Sequence, residues 1–298
     1  MPYLLTGLIY PDSSSFIDEE GCIKDIADIR LESIGVTLTK VTLESSNSET
    51  GVRGMNARFV FSSKDGEIDE TDAQAFADAL MVTLAVLYDL TLEEPPIPVR
   101  IHSEQITSDG ILRTRNIDDY ETNNLIRYHA AIGIPNIALY KALQIMPVFY
   151  KNQSIMNSAS FYRESIHKIW LCEEDIAEII LDNEIPTSIV EKANIETAYQ
   201  NAFKAIEAII GEPPSNIDRL RDKMVAQGID PDEVIGGSHL GSAEETIIKK
   251  VLRMQRTRDK KAAHGKTDHS RDIDYVELND KQKLAKRIIL HTVSHLSQ

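Results

Sequence analysis

Apolar and polar residues alternate along residues 35–45, and residues 55–62 form a second run rich in β-forming side chains. Turn-forming residues separate the two runs, which is typical of neighbouring strands. Residues 73–90 are rich in Ala and Leu, and their apolar positions recur every three or four residues, which predicts a helix. Three prolines and a short extended piece follow it. We therefore predict a small α+β domain over residues 1–112.

The next segment, residues 113–190, changes to a helical period. Apolar residues at helical spacing predict helices over 136–150, 158–172 and 173–181. Pro147 is expected to kink or end the first of these, because a proline inside a helix removes one hydrogen bond. We interpret the segment as a helical connector that packs on its neighbours.

Residues 191–298 have the most regular helical pattern in the chain. Apolar residues recur at i, i+3 and i+4 from Ile195 to Ile210, and Gly211 follows where a left-handed helix end is expected. A second, more polar amphipathic helix is predicted over 216–227.

A third helix in this region is expected to begin at a capping box formed by Ser242 and Glu245, and to run to His264. A polar loop is predicted at 266–279 and a last helix at 280–296. The predicted fold is thus an α+β N-terminal domain followed by an all-α C-terminal helical bundle over 191–298, and the chain is mostly helical overall.

No run of eighteen apolar residues occurs, so we expect no membrane-spanning segment. The first ten residues lack a basic region and a small-residue cleavage site, so no signal peptide is expected. Cys22 and Cys172 stand alone in the sequence, which indicates reduced thiols. We therefore expect a cytoplasmic protein.

The net charge of the 298-residue chain is −15 at pH 7, which by itself argues against a nucleic-acid partner. The charge is uneven, however: residues 1–190 hold 14 basic and 30 acidic residues, whereas residues 191–298 hold 18 and 17. Eight cations and one anion stand between Lys249 and Lys266. Such a patch can attract phosphate, because salt screens charges beyond about 10 Å. A solvated helix face explains the same charges equally well.

The candidate chemistry lies in this basic stretch, at Arg258, Asp259 and His264. The planar guanidinium of an arginine matches the oxygens of a phosphate. Histidine is the side chain whose ordinary pKa lies near neutrality, so His264 could move a proton at a 2′-hydroxyl or a leaving oxygen. Together the two residues could cleave RNA without a metal, with the arginine stabilising charge on the phosphoryl oxygens.

The helical period supports this site in part. Arg258 continues the apolar stripe of Ile247, Val251 and Met254, so it is expected to point inward or into a groove. His264 falls in the last turn, where the helix dipole favours a protonated imidazole. Six residues turn an ideal helix by about 600°, however, which places Arg258 and His264 on different faces. The helix must bend or end early, or two copies of the chain must share one site.

Residues from about 193 to 298 resemble the HEPN superfamily, nearest to its Apea-like and Abi-like branches. The first part of the likeness is the run of residues 199–211, which contains Tyr199, Phe203 and Glu207 and ends in Gly211. The second part is Arg258-Asp259 with His264-Gly265. The family signature is an Arg, a polar residue, and a His after four to six intervening residues; this chain has five, and Asp259 takes the polar place.

The resemblance implies a bundle of four or five helices. Many members are metal-independent endoribonucleases of toxin–antitoxin, abortive-infection or RNA-guided defence systems, and their composite site forms across a two-fold dimer. By this likeness Arg258 and His264 take the catalytic roles, Asp259 tunes them and Glu207 supports them. A shared site would also remove the difficulty of spacing. Some members bind nucleotides without cleaving them, so the fold does not settle the activity.

We therefore expect a homodimer that acts on RNA or a nucleotide and needs no cofactor. Arg256, Lys260 and Lys261 are candidate phosphate contacts, although the two lysines are also cations that suit the last turn of a helix. The N-terminal part would sense a trigger or bind a regulatory protein.

Two other functions fit the same residues. One is a module that binds RNA or a nucleotide without cleaving it. The other is a structural dimerisation bundle, in which Arg258 forms an internal ion pair with Glu207 and His264 only caps its helix. Lys250 is a second candidate partner for Glu207.

His291 and His295 stand one turn apart on the last predicted helix, which is a spacing of metal ligands. No Cys and no HExxH-type Glu accompanies them. We prefer a partly exposed helix face and expect no metal site.

Overall fold

The chain divides into two compact units, Met1–Lys151 and Asn152–Gln298. The boundary lies inside the segment 113–190 of the sequence. The computed structural model of the protein describes residues 2–5, 9–10, 29–31, 36–47, 53–63, 70–89, 99–100, 105–106, 112–113, 134–170, 187–214, 216–236, 244–257, 273 and 275–297.

The first unit contains a five-stranded sheet in the order β3-β4-β5-β1-β6, in which every neighbouring pair is antiparallel. The predicted strands at 35–45 and 55–62 are present as its two longest strands, β4 and β5. One register shift between Leu38 and Lys40 interrupts their pairing. The described strands of this unit are β1 (Pro2–Leu5), β2 (Ile9–Tyr10), β3 (Ile29–Leu31), β4 (Val36–Asn47), β5 (Arg53–Ser63), β6 (Val99–Arg100), β7 (Gln105–Ile106), β8 (Leu112–Arg113) and β9 (Ile134–Pro135).

Two helices of the first unit, α1 (Glu70–Tyr88) and α2 (Asn136–Lys151), pack against each other. Every residue of α1 from Ala79 to Val86 is buried, because its Ala- and Leu-rich sequence is apolar around most of the helix. In α2, Pro147 lies within the helix rather than at its end. The predicted helix at 173–181 lies outside the described residues.

The second unit is a helical bundle, and the described part of the chain is mostly helical, as predicted. Two of its helices, α3 (Gln153–Trp170) and α4 (Thr187–Ile210), form a central pair. They pack through buried alanines, which allow the two backbones to approach closely, and through two serine hydroxyls. Ser158 Oγ donates to Ala205 O at 2.5 Å, and Ser165 Oγ donates to Ala198 O at 2.7 Å. The elements are α3 (Gln153–Trp170), α4 (Thr187–Ile210), α5 (Ile217–Ala226), β10 (Val234–Ile235), β11 (Glu245–Thr246), α6 (Ile247–Thr257) and α7 (Tyr275–Leu296).

Helix α7 packs on both members of this pair, and α6 contacts α5 and α7. The predicted end of α4 at Gly211 and the helix predicted over 216–227 are confirmed. Gly211 after α4 has a positive φ of 68°. Asn216 caps α5, because its side-chain oxygen accepts hydrogen bonds from the backbone N–H groups of Asp218 and Arg219.

Two predicted helix starts are wrong. Helix α6 begins at Ile247, and Glu245 of the predicted capping box lies in the strand β11. The first N–H groups of α6 donate instead to backbone carbonyls: Ile247 N–H to Glu233 O at 2.9 Å and Ile248 N–H to Pro231 O at 3.1 Å. Helix α7 begins at Tyr275, within the predicted polar loop, because buried Leu278 gives this first turn an apolar side.

Candidate functional site

The last described turn of α6 leads directly to the predicted motif. Ile247, Val251 and Met254 are fully buried, which confirms the inward stripe up to Met254. Arg256 lies on the exposed side of the same turn. The other predicted residues after it lie outside the described residues: Arg258, Asp259, Lys260, Lys261 and His264.

Tyr199 of α4 lies against this last turn. Its side chain is fully buried, and its hydroxyl donates to Met254 O at 3.5 Å. Burial raises the pKa of Tyr199, and a hydrogen bond with the Thr257 side chain opposes that shift. The phenol therefore stays neutral at physiological pH and is a fixed polar group against the last described turn of α6.

Lys281 of α7 is a second buried polar group, and its charged neighbours include Lys250 and Arg253 of α6. Its side chain is about 1% exposed. The pKa of Lys281 is lowered to about 8, chiefly by burial and also by Arg253 and Lys250 of α6, while Glu277 and Asp280 act in the opposite direction. Tyr199 has Glu277 and Arg253 among its charged neighbours as well, so the phenol and the ammonium border one cluster.

Two other cations in this cluster have carboxylate partners. Lys250, also buried, donates through Nζ to Asp280 Oδ2 at 3.2 Å. From the sequence, Lys250 was also a candidate partner of Glu207. Arg253, whose side chain is 44% exposed, approaches Glu245 Oε2 at 2.9 Å. The cluster therefore extends from buried ammonium groups to the exposed guanidinium of Arg253 in the middle of α6.

Glu207 is half-buried on α4, two turns beyond Tyr199 in the chain. Its predicted pairing with Arg258 involves a residue outside the described part and remains a prediction. Arg256, the remaining described candidate, is exposed and can meet a ligand from solvent.

The two histidines of the last helix have different surroundings. His291 Nε2 lies 2.5 Å from Glu233 Oε2, and Arg287 Nε donates to Glu233 Oε1 at 2.9 Å. Burial raises the pKa of Glu233, but hydrogen bonds from Arg287 and His291 together outweigh this effect and hold the pKa below its ordinary value. His295 is exposed and lies against Gly228. Among the residues that the structure describes, no three His, Cys, Asp or Glu side chains come together as metal ligands.

Lys281 and Tyr199 were not predicted as site residues, although the sequence holds a signal for the lysine. Lys281 stands three residues after buried Leu278 and three before buried Leu284, so it occupies an apolar position of the helical repeat. Lys250 stands three residues after buried Ile247 and four before buried Met254, which is also an apolar position of the repeat. A lysine on the inner stripe of a helix is an unusual placement, because burying an ammonium is costly.

Comparisons with protein-family models, with curated proteins and with solved structures give no match to this chain. Over the described residues, no helix is both long and apolar enough to cross a membrane.

Proposed function

We propose that the second unit is a HEPN-type bundle that cleaves RNA without a metal, through Arg258 and His264. One observation supports the proposal most: the inward stripe of α6 is buried as far as Met254, and the buried hydroxyl of Tyr199 donates to the backbone of that last turn at Met254 O. The exposed cations of the same helix, Arg253 and Arg256, are suited to attract the oxygens of a phosphodiester.

The arrangement of helices is in keeping with this proposal. Five described helices, α3 to α7, belong to one compact unit, and the family fold is a bundle of four or five. The inward stripe of α6 is buried as far as Met254, and Arg258 is the next position of that stripe. An arginine there would need an anion, and a phosphate oxygen would be one.

The chemistry divides between two groups. His264 would take the proton of the attacking 2′-hydroxyl or give one to the leaving 5′-oxygen. Arg258 would stabilise the charge that develops on the phosphoryl oxygens, with Asp259 orienting the guanidinium. Glu207 would support the resting arginine, and the exposed Arg256 would guide the RNA backbone, together with Lys260 and Lys261. The N-terminal unit would receive the trigger or a regulatory protein.

The test is cleavage of mixed single-stranded RNA in EDTA by the full chain and by Arg258→Ala and His264→Ala. We expect wild-type cleavage that each substitution lowers by about 10²-fold or more. Arg219→Ala is the matched control, because Arg219 is an exposed arginine of α5. Thermal unfolding of each variant checks that the fold is intact.

The second candidate is a module that binds RNA without cleaving it. The exposed cations of α6, Arg253 and Arg256, favour it, since they need only attract a phosphate. RNA binding without cleavage, weakened by Arg258→Ala, would identify this function. Neither cleavage nor binding would overturn both proposals and leave a structural bundle.

A further inference from the structure

The solvent-facing side of α6 carries only cations. The helix has three exposed residues, Lys249, Arg253 and Arg256, and each of them is basic. They follow one another at spacings of four and three residues, so they lie within about 60° of one another around the helix axis. These three residues form a cationic stripe, which runs along α6 in the direction of the predicted motif at Arg258.

Helix α5 offers a comparison within the same unit. Its exposed charged residues alternate in sign: Asp218, Arg219, Asp222 and Lys223. Opposite charges so close together weaken one another's field in the surrounding solvent. Helix α6 contains no acidic residue, although the whole chain carries a net charge of −15. The cationic stripe therefore presents a local positive potential on an acidic protein.

Within the stripe, Arg253 has an acidic neighbour. Glu245 Oε2 of β11 lies 2.9 Å from Arg253 Nη1, and this buried oxygen accepts no hydrogen bond. The contact is therefore one of charge rather than of an aligned hydrogen bond, and such an ion pair at an exposed arginine contributes little free energy. Lys249 and Arg256 form no ion pair with a described residue. A stronger anion could engage all three cations.

We propose that the cationic stripe binds the phosphate backbone of single-stranded RNA and leads the strand to Arg258, and that the RNA displaces Glu245 from Arg253. The inference rests on the proposed function, because it supplies the path by which the substrate reaches the proposed site. A guanidinium freed from Glu245 can bind a phosphate through two N–H groups. Phosphates repeat along one strand, so a row of cations along one helix can meet several of them.

The composition of this side of α6 favours an RNA backbone over an acidic protein partner. Protein interfaces are anchored at their centre by large apolar or aromatic side chains. None of the three exposed residues of α6 is apolar, and Leu252 is the one apolar residue of the helix that is half-buried rather than buried. The stripe therefore fits a ligand that is recognised through its charges. We expect little preference for base sequence, because phosphate contacts carry no sequence information.

The first experiment measures binding of a 2′-O-methyl oligouridylate to the full chain, because this RNA cannot be cleaved through its 2′-hydroxyl groups. The double variant Lys249→Gln, Arg256→Gln should weaken binding about 20-fold near 0.1 M salt. The slope of log affinity against log salt should fall by about 1.4, which is about 0.7 for each lost phosphate contact. Arg219→Gln, Lys223→Gln is the matched control, because it also removes one exposed lysine and one exposed arginine. It should weaken binding less than about twofold and leave the slope unchanged.

The second experiment changes Glu245 and tests the displacement. Glu245→Gln should tighten binding of the same RNA about threefold to fivefold, because it frees Arg253 for one more phosphate contact. Glu244→Gln removes the same charge from the preceding exposed residue and should tighten binding less than about twofold. In an Arg253→Gln background, the gain from Glu245→Gln should disappear, because no guanidinium remains to be freed. A merely solvated helix face would show no such dependence.

Three results would overturn the inference: equal weakening by the α6 and α5 double variants, a wild type that binds no RNA, and competition by poly-glutamate as strong as by RNA. The last would indicate an acidic protein partner. Cleavage tests the proposed function separately. A chain that binds RNA through the stripe but cleaves none keeps the inference and rejects the nuclease. Cleavage that Arg258→Ala abolishes, with wild-type RNA affinity in the α6 double variant, keeps the nuclease and rejects the stripe.

Discussion

Three glycines of the second unit differ in what a side chain would meet. Gly228, with φ of 72°, ends the turn after α5, and a Cβ atom there would lie 2.4 Å from the Cβ of His295. Gly211 has φ of 68°, but its nearest neighbour is the flexible end of Lys223 at 3.3 Å. Gly236 has nothing within 4 Å. One series of substitutions can thus separate the cost of a left-handed backbone from the cost of a steric clash.

Gly228→Ala should lower the free energy of unfolding by about 2–4 kcal/mol, because strain in a left-handed residue adds to a clash with α7. Gly211→Ala should cost about 1 kcal/mol, which is the strain alone. Gly236→Ala is the matched control and should stay within about 0.5 kcal/mol. Urea unfolding measures the free energy of unfolding of the three variants and so gives their order. Equal losses at Gly228 and Gly211 would show that the contact with His295 yields without cost.

Some features of single residues could be predicted from the sequence, and others could not. The αL position of Gly211 and the cap at Asn216 were predictable, because each depends on a local backbone conformation. The partners of Glu233 were not: its carboxylate joins Arg287 and His291, which stand more than fifty positions away in the chain. Arg287 and His291 share a helix face at i and i+4, but nothing local indicates which loop reaches them.

Among the elements, α3, α4 and α7 are joined by one buried hydroxyl. Ser165 of α3 donates to Ala198 O of α4 at 2.7 Å and accepts from Gln282 Nε2 of α7 at 3.0 Å. Ser158, two turns earlier on α3, only donates to Ala205 O. The two serines offer a matched pair in the same helix interface.

Ser165→Ala should destabilise the protein by about 1–3 kcal/mol, because it leaves the buried amide of Gln282 without its acceptor. Ser158→Ala should cost about 1 kcal/mol or less, since no second buried group depends on it. Adding Gln282→Leu to Ser165→Ala should recover part of the loss. Chemical unfolding gives the three values. A cost at Ser158 equal to that at Ser165 would contradict the role assigned to Gln282.

The start of α6 was predicted wrongly because it depends on the tertiary fold. Helix α6 was expected to start at a local capping box, but its first N–H groups find carbonyls at Pro231 and Glu233. The pairing of β10 with β11 holds this segment beside the start of α6, and no local pattern in the sequence indicates that pairing. Hydrophobic period predicts which residues face inward, whereas the exact start of a helix depends on which acceptors the tertiary fold supplies.

At the scale of the whole molecule, the two units are predictable to different degrees. The helical period of residues 195–210 and the stripe of α6 indicate an inward face directly, and the buried residues agree. The five-stranded sheet combines strands in the order β3-β4-β5-β1-β6, and such an order depends on pairings between distant segments. Local alternation therefore predicts β4 and β5 but not their neighbours.

The proposed site makes one prediction about the assembly. If Arg258 of one chain and His264 of another form each site, a mixed dimer of Arg258→Ala and His264→Ala contains one intact site and one doubly altered site. Equal co-expression of two differently tagged chains should then restore about a quarter of the wild-type RNA cleavage, because half of the dimers are mixed and each has half its sites.

Purifying the mixed dimer through both tags should raise its activity to about half of wild type, while each homodimer stays inactive. Cleavage assays on the three purified species provide the measurement. An inactive mixed dimer would place both residues of a site in one chain, and the helix that carries them would then have to bend or end between positions 258 and 264. The spacing of six residues makes the shared site the stronger expectation, because an ideal helix separates the two side chains by about 600° of rotation.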